Sequence, residues 1–252
     1  MEWCLDPRRR EVAVARIERW LGVDVRQARD IFRRALASEA RAEADTRWFM
    51  EHSARLHDAF RPASSECPDE GPAVWATLHL GSPTLAFVYL RCVRGIDVRI
   101  VARPLDDANP MPEAKRAWGR RNVRWLERVT GTAFLGVSAE AMSVARSHVV
   151  QGGSLFVLID VPGDIVARSI ELELLGGRAR LASGTFQLAG LLGVPIRPIV
   201  AVPRGNDFEV RYGRPIEPVP RGLPTEAITR AITSVVRDLP EEWWLWPYLP
   251  EA

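Results

Sequence analysis

The residues best suited to chemistry in this chain stand where apolar runs end. Ala73-Val74-Trp75-Ala76-Thr77-Leu78 reads as a buried strand that delivers His79 into the turn Leu80-Gly81-Ser82-Pro83-Thr84. Imidazole titrates near neutrality, and open α/β sheets carry their chemistry on loops at the carboxyl ends of strands, so His79 is a candidate general base. The plain alternative is a histidine hydrogen-bonded beneath a loop. A second apolar run, residues 155–159, ends in Asp160. If that strand runs parallel beside the first, both side chains emerge on one rim and the carboxylate can orient the imidazole. Val161-Pro162-Gly163-Asp164 follows, so Asp160 is equally readable as a turn or capping residue. Ser82 lacks the Gly-x-Ser-x-Gly elbow of a hydrolase nucleophile and reads as a helix N-cap ahead of Pro83, although its hydroxyl or N–H can still donate to an oxyanion. His52, His57 and His148 fall on helical segments without ligand spacing, so no metal site is expected.

These residues need elements to hold them. Residues 8–60 carry helical periodicity, with Val12, Val14, Ile17, Trp20 and Leu21 and then Ala28, Ile31, Phe32, Ala35 and Leu36 on apolar faces, which predicts two or three helices. Residues 62–71, rich in proline, serine and glycine, read as a linker. From residue 72 onward the pattern alternates. Strands are expected at 73–78, 98–102, 155–160, 196–202 and 208–212, and helices at 83–93, 109–129, 138–150 and 183–192. Strands alternating with helices predict an α/β fold around a largely parallel sheet, here one domain over 1–252 with a helical N-terminal segment (1–60) and an α/β core (72–252).

Composition narrows the function classes. A chain of 252 residues with 47% hydrophobic content buries a sizeable core, and a net charge of +2 makes no case for nucleic acid. All 34 basic residues except Lys115 are arginine, a bias attributed to coding composition rather than to phosphate recognition. Cys4, Cys67 and Cys92 show neither metal nor disulfide spacing and are expected free, as suits a reducing cytoplasm. The apolar stretches 74–93 and 186–202 are broken by His79 and Arg91 and by Pro195 and Arg197, so no transmembrane anchor is expected, and the first ten residues lack the apolar core of a signal peptide. Peripheral contact with the inner face of the membrane stays open. Arg8, Arg9, Arg10, Arg16 and Arg19 flank Val12, Ile17 and Trp20, a pattern that suits either an interfacial helix on anionic lipid or a helix packed on the domain.

The order of these local patterns resembles the bacterial late acyltransferases of lipid A, the lauroyl and myristoyl transferases, within the wider lysophospholipid acyltransferase superfamily. That family's His-x4-Asp/Glu motif is matched by His79 through Thr84, with threonine in place of the acid. Arg103-Pro104-Leu105, Asn109-Pro110 and Trp118-Gly119-Arg120 follow in the family's order, as do the strand ending in Asp160, Leu181-Ala-Ser-Gly184-Thr185, and Gly193-Val-Pro195-Ile-Arg-Pro198. The closing Pro240-Glu241-Glu242-Trp243-Trp244-Leu245-Trp246 is similar to the family's Pro-Glu-Gln-Trp-x-Trp, and is also what a tryptophan-rich plug of the core would look like.

The resemblance implies a glycerolipid acyltransferase-like fold and an acyl transfer. The acyl group would come from a thioester of acyl carrier protein or coenzyme A, used as co-substrate with no other cofactor, and pass to a hydroxyl or amine of a lipid or metabolite acceptor. His79 would be the base. Thr84 can accept a hydrogen bond from the imidazole but offers it no charge; Asp160 is the preferred substitute, and Asp106 and Asp107 read as solvated. Arg103 is the candidate for a phosphate of acceptor or donor, or else a surface ion pair with Asp106 or Asp107. Gly184 and Thr185 open a helix whose N–H groups can face an anion. Arg178 and Arg180 read as a solvated basic rim. Two alternatives remain beside the transferase: a non-catalytic acyl-binding relative, and a thioesterase-like hydrolase in which water replaces the acceptor.

Overall fold

The computed structural model describes residues 7–61, 71–107, 109, 111–219 and 223–249. Cys4, Cys67, Pro110 and nearly all of the expected linker lie outside these residues, whereas Cys92 is a free, partly buried thiol.

Two amphipathic helices come first, α1 (Pro7–Leu21) and α2 (Val25–Glu51). Asp24 starts α2 with a reciprocal capping box, its side chain accepting from the Gln27 N–H while Gln27 reaches back. The core strands are β1 (Phe60–Arg61), β2 (Val74–Thr77), β3 (Val98–Ile100), β4 (Ser154–Leu158), β7 (Ile196–Arg204) and β8 (Asp207–Tyr212). They form one sheet in the order β1-β8-β7-β2-β4-β3, parallel throughout except for the β7–β8 hairpin. Every residue of β2 is buried, as expected of a central parallel strand covered on both faces. Between β2 and β3 the chain forms α3 (Pro83–Val88), continued by a π-helical turn to Val93. Then come α4 (Glu113–Thr130) and α5 (Ala139–Val150) before β4, and α6 (Gly184–Leu192) before β7. The arginine-rich helix begins at Glu113 rather than 109, because Asn109 is tied into the preceding loop by bonds to Pro104 O and the Met111 N–H.

Two further pieces were not among the expected elements. Strands β5 (Ser169–Leu174) and β6 (Gly177–Ala182) make a separate antiparallel hairpin, and α7 (Thr225–Asp238) packs against β5.

Helices cover both faces. Leu85, Ala86 and Phe87 of α3 and Trp125 of α4 share one apolar cluster with Trp75 and Phe156, while α1, α5, α6, α7 and the hairpin share the other with Val74, Ala76 and Val157. From β2 the chain crosses one face to β3, beyond β4; from β4 it crosses the other face to β7, beyond β2. The chain therefore leaves β2 and β4 in opposite directions, the arrangement at whose carboxyl ends open α/β sheets place their sites.

The N-terminal helix is a packed helix. Val14, Ile17 and Trp20 lie in the core, and the buried Arg16 guanidinium donates to the carbonyls of Trp246 and Leu249. Ile17 and Trp20 of that helix's apolar set are thus covered by the domain, as the packed alternative expects, whereas Val12 stays exposed.

Candidate active site

His79 and Asp160 meet at those carboxyl ends. The parallel register pairs Thr77 with Leu158, and the Ile159 N–H donates to Thr77 O, so two residues further along each strand His79 stands beside Asp160. The Asp160 carboxylate accepts from the His79 backbone N–H at 2.8 Å and from the Nδ1–H of its ring at 2.9 Å. A third donor comes from the far end of the chain, the indole Nε1–H of Trp243 at 2.9 Å. Asp160 is fully buried, and these three bonds are what make a buried carboxylate tolerable. The His79 side chain keeps 28% of its surface, and with Nδ1 engaged its Nε2 is the nitrogen left to work.

The turn after His79 is fixed by backbone contacts. Gly81 adopts φ +59°, and a Cβ there would lie 2.4 Å from the Ala201 carbonyl. The Gly81 N–H donates to Glu242 O, the Ser82 N–H to Ala201 O, and the Trp244 N–H to His79 O. Trp244 also sets its ring 6.3 Å from the imidazole, and its Nε1–H donates to Ser38 Oγ at 3.3 Å. Ser38 in turn bonds the Glu242 carboxylate, which Arg41 holds at 3.0 Å. The C-terminal tryptophans therefore plug the core and also frame the site.

Burial pushes the His79 pKa down, but the charge of Asp160 and its hydrogen bond outweigh this and hold it above the ordinary value of 6.5. More distant charges contribute in opposite senses, Glu39 raising it and Lys115 lowering it. Those two groups are themselves paired at 2.9 Å between α2 and α4.

Thr84 does not take the role of orienting group. Its hydroxyl accepts from Asn122 Nδ2 at 3.3 Å, and the ring nitrogen it would have held belongs to Asp160. Ser82 precedes α3 but makes no side-chain cap; its hydroxyl is buried without a partner among the described residues, and its N–H, bound to Ala201, is not available to an oxyanion. Arg103 is exposed and donates to Ile165 O at 3.3 Å, in the loop that follows Asp160. Asp107 lies 3.6 Å from Arg116. Gly184 and Thr185 start α6 after Ser183, and the N–H of the preceding Ala182 donates to Val161 O. Arg103 and the α6 start thus adjoin the loop after Asp160, and neither bonds His79. His148 is a structural histidine, its Nε2 bonded to Ser154 O at 3.1 Å, and no cluster of metal-ligating side chains occurs among the described residues.

The sequence reading missed Trp243 as a support of the carboxylate. The signal was present, because a buried indole N–H needs an acceptor.

A catalytic base requires an imidazole with one nitrogen anchored to a buried carboxylate and the other accessible, and this arrangement meets that requirement. Comparison with protein-family models finds no match, and comparison with curated proteins finds none either.

Proposed function

We propose that this protein is an acyltransferase that moves an acyl group from a thioester of acyl carrier protein or coenzyme A to a hydroxyl or amine of a lipid or metabolite. The His79–Asp160 pair carries the reading. Nε2 of His79 removes the proton of the acceptor hydroxyl as its oxygen bonds to the thioester carbonyl carbon. Asp160 stabilises the resulting imidazolium without taking its proton. The carbon–sulfur bond then breaks, and the leaving thiolate recovers the proton from His79. The order of the sequence motifs, which resembles that of the lipid A late acyltransferases, supports the reading, and a mostly parallel sheet flanked by helices is compatible with it. Use of an acyl thioester carries with it a cytoplasmic site of action. No helix among the described residues is long and apolar enough to cross a membrane, which is compatible with that site, and contact with the inner face of the membrane would be peripheral.

The test is an acyl-transfer assay with acyl carrier protein and coenzyme A thioesters, the acceptors being lipids and metabolites that copurify. His79→Ala is expected to keep the fold and reduce transfer by about 10²-fold or more. Acyl thioester consumption with free acid as the product would identify the hydrolase instead. Equal rates for parent and variant would remove His79 from the mechanism.

A further inference from the structure

The outer face of α4 is a row of arginines without a counter-charge. From Ala114 to Arg128 its exposed residues are Ala114, Ala117, Arg121, Arg124 and Arg128. Glu113, which opens the helix, is engaged by Arg116 and Arg120, and the Glu127 carboxylate accepts from the Phe134 N–H. Arg121, Arg124 and Arg128 have no ion pair or hydrogen bond among the described residues. They stand three and four residues apart, the spacing at which like charges repel each other on a helix. An anionic surface laid on the row relieves that repulsion.

The other side of the same helix borders the His79 site. Asn122, next to Arg121, donates to the hydroxyl of Thr84 in the turn that carries His79. Lys115 pairs with Glu39, the neighbour of the Ser38 that accepts from Trp244. A partner seated on the row is therefore separated from the site by the width of one helix, about 10 Å. Nothing on this face suits insertion into lipid, because none of the large exposed apolar side chains among the described residues lies on α4. A cationic face without an apolar one suits the polar, acidic surface of a protein.

We infer that the outer face of α4 docks an acidic protein, and that this protein is the carrier of the acyl thioester. The inference rests on the acyl-transfer reading, in which carrier protein and coenzyme A are the two donors and only the carrier has a folded, acidic surface to present. Its flexible phosphopantetheine arm then crosses α4 to bring the thioester to His79.

Fluorescence anisotropy of labelled apo acyl carrier protein, titrated with the full chain, reads the docking surface without the arm. Binding is expected, and added salt is expected to weaken it. The triple variant Arg121→Ala, Arg124→Ala, Arg128→Ala is expected to weaken it by at least about tenfold. Alanine at exposed helical positions favours the helix, so this variant keeps the fold. Arg26→Ala with Arg29→Ala and Arg33→Ala removes the same charge from the exposed start of α2 and is expected to leave binding unchanged. In transfer assays the α4 variant is expected to lower kcat/KM for the carrier thioester at least about tenfold more than for the coenzyme A thioester. Carrier binding that the α4 variant loses supports the docking surface even where the parent transfers no acyl group, a result that would remove the acyl-transfer reading alone. Absence of carrier binding, equal weakening by the α2 control, or equal loss with both thioesters overturns the inference. Flotation with phosphatidylglycerol vesicles completes the test: vesicle binding abolished by the α4 variant, without carrier binding, would assign the row to a membrane and overturn it as well.

Discussion

The imidazole of His79 answers to two opposed influences, and their balance is measurable. Burial disfavours its charge, while Asp160 favours it more strongly, so the neutral base appears only above a pH higher than 6.5. The kcat/KM profile is therefore expected to rise with pH through a midpoint above that value, and Asp160→Asn to move the midpoint to lower pH while reducing the rate by at least about 10²-fold. A midpoint that Asp160→Asn leaves in place would break the coupling. The stability linkage has the opposite sense: the pair's contribution is complete below the ordinary histidine pKa and is lost as pH rises through the raised one. Thr84 permits a sharper comparison. With its hydroxyl bonded to Asn122, Thr84→Ala is expected to leave initial rates nearly unchanged, and Thr84→Asp to add nothing, since the imidazole already has its carboxylate. Rescue of transfer by Thr84→Asp in the Asp160→Asn background would show that the threonine position still reaches the ring.

At the scale of elements, the site depends on three segments far apart in sequence. Strand β2 brings His79, β4 brings Asp160, and the segment after α7 brings Trp243, which is fully buried and whose backbone forms a β-bridge with Leu80. Trp243→Phe retains most of the buried area but removes one donor from a buried carboxylate. It is expected to cost about 1.5–3 kcal/mol in denaturant unfolding, the range for hydrogen bonds to charged groups. A loss below about 0.5 kcal/mol would mean that the two donors from His79 suffice. The same contacts explain why the turn needs glycine at position 81, where a side chain would meet the Ala201 carbonyl.

Across the whole molecule, α1 and the C-terminal segment hold each other. Arg16 bonds the carbonyls of Trp246 and Leu249, and Trp20 meets Trp246 edge to face at 6.3 Å. Trp20 is 4% exposed, so Trp20→Ala is expected to behave as a core deletion costing about 3–5 kcal/mol. A thermal scan decides between this and a lipid-facing role: an unchanged Tm would mean that the tryptophan is not in the core. Because the segment that α1 braces also carries Trp243, such a variant should lose acyl transfer together with stability.

Much of this was legible in the sequence for a local reason. Apolar runs such as 73–78 and 155–159 announce central parallel strands, and the helical periodicity of 8–60 announces α1 and α2. The strand ends likewise marked His79 and Asp160 as candidates. The alternation of Ile170, Leu172 and Leu174 before Gly176-Gly177, and the spacing of Ile228, Ile232 and Val236, carry the hairpin and α7 in the same local way, although the expected elements did not include them. What no local pattern holds is partnership. Whether Thr84 or Asp160 holds the imidazole depends on the register of β2 against β4, a pairing across 81 residues, and Trp243 reaches Asp160 across 83. The direction of a side chain's hydrogen bond is set by which strands become neighbours, and that is settled only when the two faces of the sheet are buried together.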